Sequence, residues 1–259
     1  IRLMKVCPLR KNKKYDALFR MVERETTNSD TFFGSDSNLS EAEIAVITKK
    51  NIRKKIIPTL IYALKDPYYD TRAGAVIALA KVAKSDDLRA LGNIIPLLKD
   101  RSSTVREAAC LALGILGHEE AIPLLKNIVS NNIKGKQAVG RKNDVLNRTR
   151  SFAAYGLGLI GHQRHNIFIK RVIADFLVKT IRSKNLRDLK VASAISLHLL
   201  NEKSPVPQLI ELFKDSELDP YVKAHIGIAL GKLRARASAP TLAKAIDHKN
   251  EHISRSAAI

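Results

Sequence analysis

Apolar residues recur along much of this chain at three- and four-residue steps, the spacing that collects them on one face of an α-helix. Ile57, Leu60, Ile61 and Leu64 form one such stripe. A second kind of segment starts from a basic residue, as in Val105-Arg106-Glu107-Ala108-Ala109-Cys110-Leu111-Ala112-Leu113-Gly114-Ile115-Leu116-Gly117. Related strings surround Arg72, Arg150, Lys190, Lys223 and Arg255. Seven positions after the first five such anchors stand Leu79, Leu113, Leu157, Leu197 and Leu230. The next position is small at Ala80, Gly114, Gly158 and Gly231, with His198 the exception. Successive anchors are 34, 44, 40, 33 and 32 residues apart. The short intervals fit one helical hairpin per unit, and the long ones require insertions.

Ahead of most anchors lies a proline-bearing string: Ile57-Pro58, Ile95-Pro96, Ile122-Pro123, Val206-Pro207 and Ala239-Pro240, each followed by apolar residues. In the first helical turn proline loses nothing, because donors there have no intrahelical acceptor. The string predicts the first helix of each hairpin and the anchored segment predicts the second. Neither helix buries its apolar stripe alone, so the hairpins must stack and share a core.

These strings resemble the HEAT repeat, particularly the short form seen in phycobilisome-lyase-like proteins. The resemblance rests on the proline-bearing first helix, the Asp in the turn, the Val-Arg start and the Ala-Leu-Gly-x-Leu-Gly finish. It spans roughly residues 52–259. It implies an all-α, right-handed α-solenoid (an α/α superhelix) of about five to six hairpins, the last one truncated. Turn aspartates can cap the second helix or bond turn amides. The resemblance further implies that turn Asp and anchor Arg form a ladder between units, here drawing on Asp66, Arg72, Asp100, Arg106, Arg150 and Lys223. Asp215 and Asp247 precede Lys223 and Arg255 by eight positions. The matched residues are structural and carry the fold further than the function.

Residues 51–259 are accordingly read as solenoid, with an insertion near 130–147 that lengthens the turn ahead of Arg150. It holds Lys134, Gly135, Lys136, Gly140, Arg141 and Lys142. No strand–GxxxxGK[ST]–helix pattern accompanies the glycines, which argues against a nucleotide loop. The insertion is read as a flexible basic loop, with a partner-contact loop as the alternative. His162 and His165 flank a turn without a third metal ligand nearby, so a polar inter-repeat turn is the reading. His198 and His225 fall on successive second helices and read as packed or half-exposed. Residues 1–50 leave the repeat; a basic arm (Lys5, Arg10, Lys11, Lys13, Lys14) and a Ser40-x-x-Glu43 capping box predict an arm with capping helices. The opening on Ile1 and the close on Ser256-Ala257-Ala258-Ile259 read as those of a fragment of a larger protein.

Composition adds charge to this picture. Lys and Arg number 45 against 25 Asp and Glu, a net charge of +20. Such an excess attracts nucleic acid, anionic surfaces or acidic proteins. With aromatics at 5% and no Trp, base-stacking platforms are disfavoured and backbone contacts would dominate. The candidate contact residues are Lys134, Lys136, Arg141, Lys142, Arg148 and Arg164. The two cysteines, Cys7 and Cys110, cannot build a disulfide framework, and Cys110 reads as core. No apolar run approaches a membrane span. There is no GxSxG, HExxH or Cys–His nucleophile pattern, and Glu119-Glu120 reads as a helix-start pair. The expectation is a noncatalytic scaffold for protein–protein interaction, without cofactor or metal, probed against nucleic-acid or other polyanion binding as the alternative.

Overall fold

The computed structural model describes residues 54–83 and 85–258. The basic arm, capping box and capping helices expected in residues 1–50, and Cys7 with them, lie outside the described residues. Within them the chain is helical, with no strand. The first helix, α1, occupies 54–63. It is followed by α2 (Tyr69–Val82), α3 (Leu88–Ile94), a 3-10 turn (Ile95–Lys99) and α4 (Ser103–Leu116). Next come α5 (Ala121–Ser130), α6 (Ile133–Ala138), α7 (Asn147–Gln163), α8 (Ile167–Arg182) and α9 (Arg187–Leu199). The chain continues with α10 (Val206–Lys214), α11 (Pro220–Lys232), a 3-10 turn (Arg236–Ser238), α12 (Ala239–Ala245) and α13 (Glu251–Ala257).

All six anchors fall on the second helix of a hairpin: α2, α4, α7, α9, α11 and α13. Each of these packs against the next in one unbroken row. The five Leu residues that follow the anchors are completely buried. Small residues make the row tight. A Cβ added at Gly114 of α4 would lie 2.6 Å from the Cα of Gly156 in α7, so these helices meet backbone to backbone. Further along, the Ser196 hydroxyl of α9 donates to the carbonyl of Ala154 in α7 at 2.9 Å. The first helices touch one another far less. Close approach on one side and splaying on the other curve the stack, with the second helices on the concave side. Cys110 sits wholly inside; burial, reinforced by Glu107, pushes its thiol up to about 12, and it is an inert core residue.

Polar residues set the helix starts. Asn166, Asp219 and Asn250 cap α8, α11 and α13 by accepting from two amides each, an arrangement that contributes about 1 kcal/mol per cap. The turn aspartates do something different. Asp66, Asp100 and Asp215 accept from Tyr68, Ser102 and Glu217 amides, two residues on, closing the turn and not capping the helix.

Three features depart from the sequence-based expectation. Pro96 does not open an α-helix; it is the second residue of the 3-10 turn that continues α3, where its missing N–H costs no ladder bond. The fourth hairpin has a first helix, α8, without any proline; it buries Ile173, Ala174, Leu177, Val178 and Ile181. The insertion is folded, not a flexible loop. Asn132 caps α6 by accepting from Gly135 N–H at 2.8 Å, and the Asn131 side chain accepts from Val145 N–H at 2.8 Å. Gly135 presses so closely on α5 that a Cβ would stand 2.0 Å from the carbonyl oxygen of Asn127. Val139 and Val145 are buried beneath it.

Candidate functional site

The ladder is a set of unequal rungs. Arg72 donates from Nε and Nη2 to the two carboxylate oxygens of Asp100 in the next unit, at 2.7 and 2.8 Å. Its Nη1 donates to the carbonyls of Asp66 and Pro67 in its own turn. Burial pushes the Asp100 carboxyl up, but the Arg72 hydrogen bonds and the Ser102 amide outweigh it and hold it below the usual range. Arg106 repeats the own-turn contacts, donating to the carbonyls of Asp100 and Arg101. The insertion interrupts the series there. Asp144, which stands where a turn aspartate is due, pairs with Lys136 at 2.9 Å. Arg150 reaches back to the carbonyl of Val129 and across to the Asn185 side chain at 2.8 Å. The half-buried residue Lys223 forms no such rung; a lysine has no planar fork with which to copy the arginine geometry.

The six candidate contact residues are not gathered at one place. Arg148 and Arg164 flank or begin opposite ends of α7, a helix of 17 residues and so roughly 25 Å long. Arg164 is held by Glu119 at 3.6 Å and donates from Nε to the carbonyl of Gly117 at 2.8 Å. With Gln163, which donates to the Gly114 and Ile115 carbonyls, it satisfies the open end of α4. Lys134 and Lys142 are exposed on the insertion, Lys136 is paired with Asp144, and Arg141 is half-buried.

Arg148 has a different setting. Its Nε lies 3.0 Å from a carboxylate oxygen of the buried Glu107 in α4, while its side chain is 74% exposed. Its guanidinium also lies over the Phe152 ring, 5.7 Å from the centroid. Glu107 is pushed up by burial, opposed by Arg148 and Arg106. Arg148 is therefore anchored from below and open to solvent above.

Arg148 belongs to a surface that repeats from unit to unit. At 100° per residue, positions two before and two, five and nine after each anchor share a narrow sector of the second helix. This sector faces away from the core. On α4 it carries Thr104, Ala108, Leu111 and Ile115; on α7, Arg148, Phe152, Tyr155 and Leu159. On α9 it carries Asp188, the buried Ala192, Ile195 and Leu199, and on α11, Tyr221, His225, Ile228 and Lys232. Most are half-buried, so the concave side is an apolar strip with an aromatic centre. Phe152 and Tyr155 meet edge to face at 6.0 Å, as do Tyr221 and His225 at 4.9 Å. His252 of α13 joins Tyr221 at 5.6 Å. Arg187 of α9 lies over the Tyr221 ring at 5.5 Å.

The aromatic strip is absent from the sequence-based candidates. Its signal was present in the repeat register: Arg148 with Phe152, and Tyr221 with His225, are four residues apart and meet on one helix face. Arg187 over Tyr221 is a contact between units, which only the stack reveals. Burial lowers His198 and His225, with Lys232 and His225 adding to the effect at His198. His162 is in the last turn of α7 and not in the inter-repeat turn, which holds His165; its Nδ1 is bonded to the Leu199 carbonyl at 2.8 Å. Among the described residues no group of three or more His, Cys, Asp or Glu is placed to hold a metal. Among them also, no helix is long and apolar enough to cross a membrane.

Comparison with known proteins bears on the architecture. The family profile described as HEAT repeats matches residues 54–139 and 174–259, together more than half of the chain. The unmatched stretch contains the end of the insertion and α7, whose helix nonetheless keeps its place in the row. No curated protein sequence matches. Similar solved structures include human deoxyhypusine hydroxylase in complex with glycerol, 17% identical, covering 93% of this chain and 96% of that one, with a TM-score of 0.37. Another is a designed armadillo repeat protein in complex with the peptide (KR)4, 17% identical, covering 78% and 96%, with a TM-score of 0.41. The helical hairpins, the anchored second helices and the matching profile together make this chain a member of the HEAT-repeat family.

Proposed function

We propose that the protein is a noncatalytic scaffold that holds a protein partner on the row of second helices. The observation that carries this reading is the strip itself: apolar and aromatic side chains, left half-buried among the described residues, repeat along α4, α7, α9 and α11. Such a strip is rimmed by arginines, and aromatic residues with arginine are the side chains that dominate binding energy at protein interfaces. Solenoids present extended surfaces of this kind.

The test compares two variants in capture of partners from native extract. Phe152→Ser with Ile195→Ser makes the strip polar. Neutralising Lys134, Lys136, Arg141 and Lys142 to Gln removes the insertion's charge. The expected result is loss of the captured protein with the first variant and retention with the second. The reverse pattern overturns the reading.

A second reading, polyanion binding, is favoured by the +20 charge and by exposed Lys134 and Lys142 on the insertion. It requires affinity for duplex DNA that falls steeply with salt, because each phosphate contact releases counterions. A flat salt response dismisses it.

A further inference from the structure

We propose that the occupant of the second-helix strip is an acidic amphipathic α-helix, lying across α7 and α9 with one carboxylate on Arg148 and another on Arg187. This rests on the strip being a protein-binding surface and adds the chemistry and geometry of its partner.

Three observations lead there. First, both guanidiniums are held in place before any ligand arrives. Arg148 is fixed by the buried Glu107 and by the Phe152 ring. Arg187 lies over Tyr221 and is 3.7 Å from Asp188, itself 80% exposed. An arginine stacked on a ring keeps edge N–H groups free for a bidentate carboxylate, and its prior ordering lowers the entropy lost on binding. Second, the charge of the face selects the partner. Lys81, Arg148, Arg187 and Lys232 stand on or beside the strip against Asp70, Glu107 and Asp188, on a chain of net charge +20. A basic segment would be repelled. Between the two arginines the surface is apolar, with Phe152, Tyr155 and Ile195, so a wholly polar acidic chain would leave it uncovered.

Third, the spacing favours a helix. Arg148 and Arg187 are at corresponding ends of neighbouring second helices, two and three residues before their anchors. Packed helices lie roughly 8–10 Å apart. Carboxylates seven residues apart on one helix face are separated by about 10.5 Å. Same-face residues of an extended chain fall at about 6.8 or 13.6 Å, both further from the helix–helix distance than the helical spacing. In the helix, residues three and four after the first carboxylate point at the surface between the arginines and bring Leu or Phe onto Tyr155 and Ile195.

The experiment is fluorescence anisotropy of labelled synthetic peptides with the full chain. The reference peptide is helix-forming, with Glu at i and i+7 and Leu at i+3 and i+4. In one control the second Glu moves to i+5; in another Lys replaces Glu. A third has Ser for Leu, and a fourth carries prolines that keep the same acidic and apolar residues extended. The reference peptide is expected to bind, and the i+5, Lys, Ser and proline peptides to bind at least about tenfold more weakly. Arg187→Gln is expected to weaken the reference peptide about tenfold; it leaves no buried charge unpaired, so its fold is secure where that of Arg148→Gln is not. Equal binding of the Ser peptide, or displacement by duplex DNA at equal affinity, overturns the proposal in favour of charge alone. Equal binding of the i+5 or proline peptide overturns the helical geometry. Binding of the Lys peptide through Phe152 and Ile195 overturns the acidic occupant while leaving the strip a protein-binding surface. If no peptide binds and serine substitution of the strip leaves capture intact, the proposal and the scaffold reading fall together.

Discussion

Arg72 and Asp100 join consecutive hairpins through two parallel hydrogen bonds, 2.7 and 2.8 Å long, between side chains only 7% and 9% exposed. The pair also ties both turns, since Arg72 holds the Asp66 and Pro67 carbonyls and Asp100 accepts from the Ser102 amide. Removing one partner leaves the other buried and uncompensated. Arg72→Ala and Asp100→Ala are each expected to cost about 3 kcal/mol, with the double variant costing about 2 kcal/mol less than the sum. Urea unfolding of the four proteins measures this; additive costs would mean that the two side chains act independently.

Two carboxylates on neighbouring helix and turn make opposite contributions to the pH dependence of stability. Asp100 is held below its ordinary value, so its contribution is complete above the unfolded carboxylate range, at about 4, and is lost as pH falls through the lower folded value. Glu107 is raised by burial, so its ionisation opposes folding as pH rises through the elevated folded value. Asp100→Asn is therefore expected to flatten the loss of stability below about pH 4. Glu107→Gln is expected to gain thermal stability at pH 7 relative to pH 4. Thermal melts across that range check both signs.

The tight side of the solenoid depends on glycine. A Cβ at Gly156 would stand 2.6 Å from the carbonyl oxygen of Cys110 and 3.1 Å from a Leu125 methyl. The first contact is with backbone and cannot yield by a rotamer change. Gly156→Ala is expected to push α4 and α7 apart and cost about 2 kcal/mol. Chemical unfolding measures the loss, and small-angle scattering should register a change in curvature. An unaltered midpoint would show that the helices do not approach so closely.

Much of the architecture was legible because it is carried by residues repeated in register. The anchors from Arg72 to Arg255 and the Leu seven positions on define the second helices directly. The first helix of the fourth unit, α8, lacks the proline mark, although Ile173, Leu177 and Ile181 keep the four-residue step. Pro96 misleads about where its helix begins, since proline also fits a 3-10 turn that follows a helix. The insertion looked flexible because its glycines and lysines favour a loop; its order comes from Gly135 against α5 and the Asn131–Val145 bond, contacts distant from local propensity. The strip was hidden for another reason. The repeat signal is carried by the residues that face inward, whereas Phe152, Tyr155 and Tyr221 sit on the opposite side of the same register. Arg164 shares its charge with Arg148, and only the stack shows it spent on the end of α4.

The central claim is that a partner lies on the second helices and not on the first. Site-specific photo-crosslinking tests it most directly. A benzophenone amino acid at Ile195, on the strip, is compared with one at Phe168, on the exposed start of α8. Crosslinks to the captured partner from position 195 with little or none from 168 are the predicted result. Crosslinks from 168 alone would put the partner on the convex side and contradict the account.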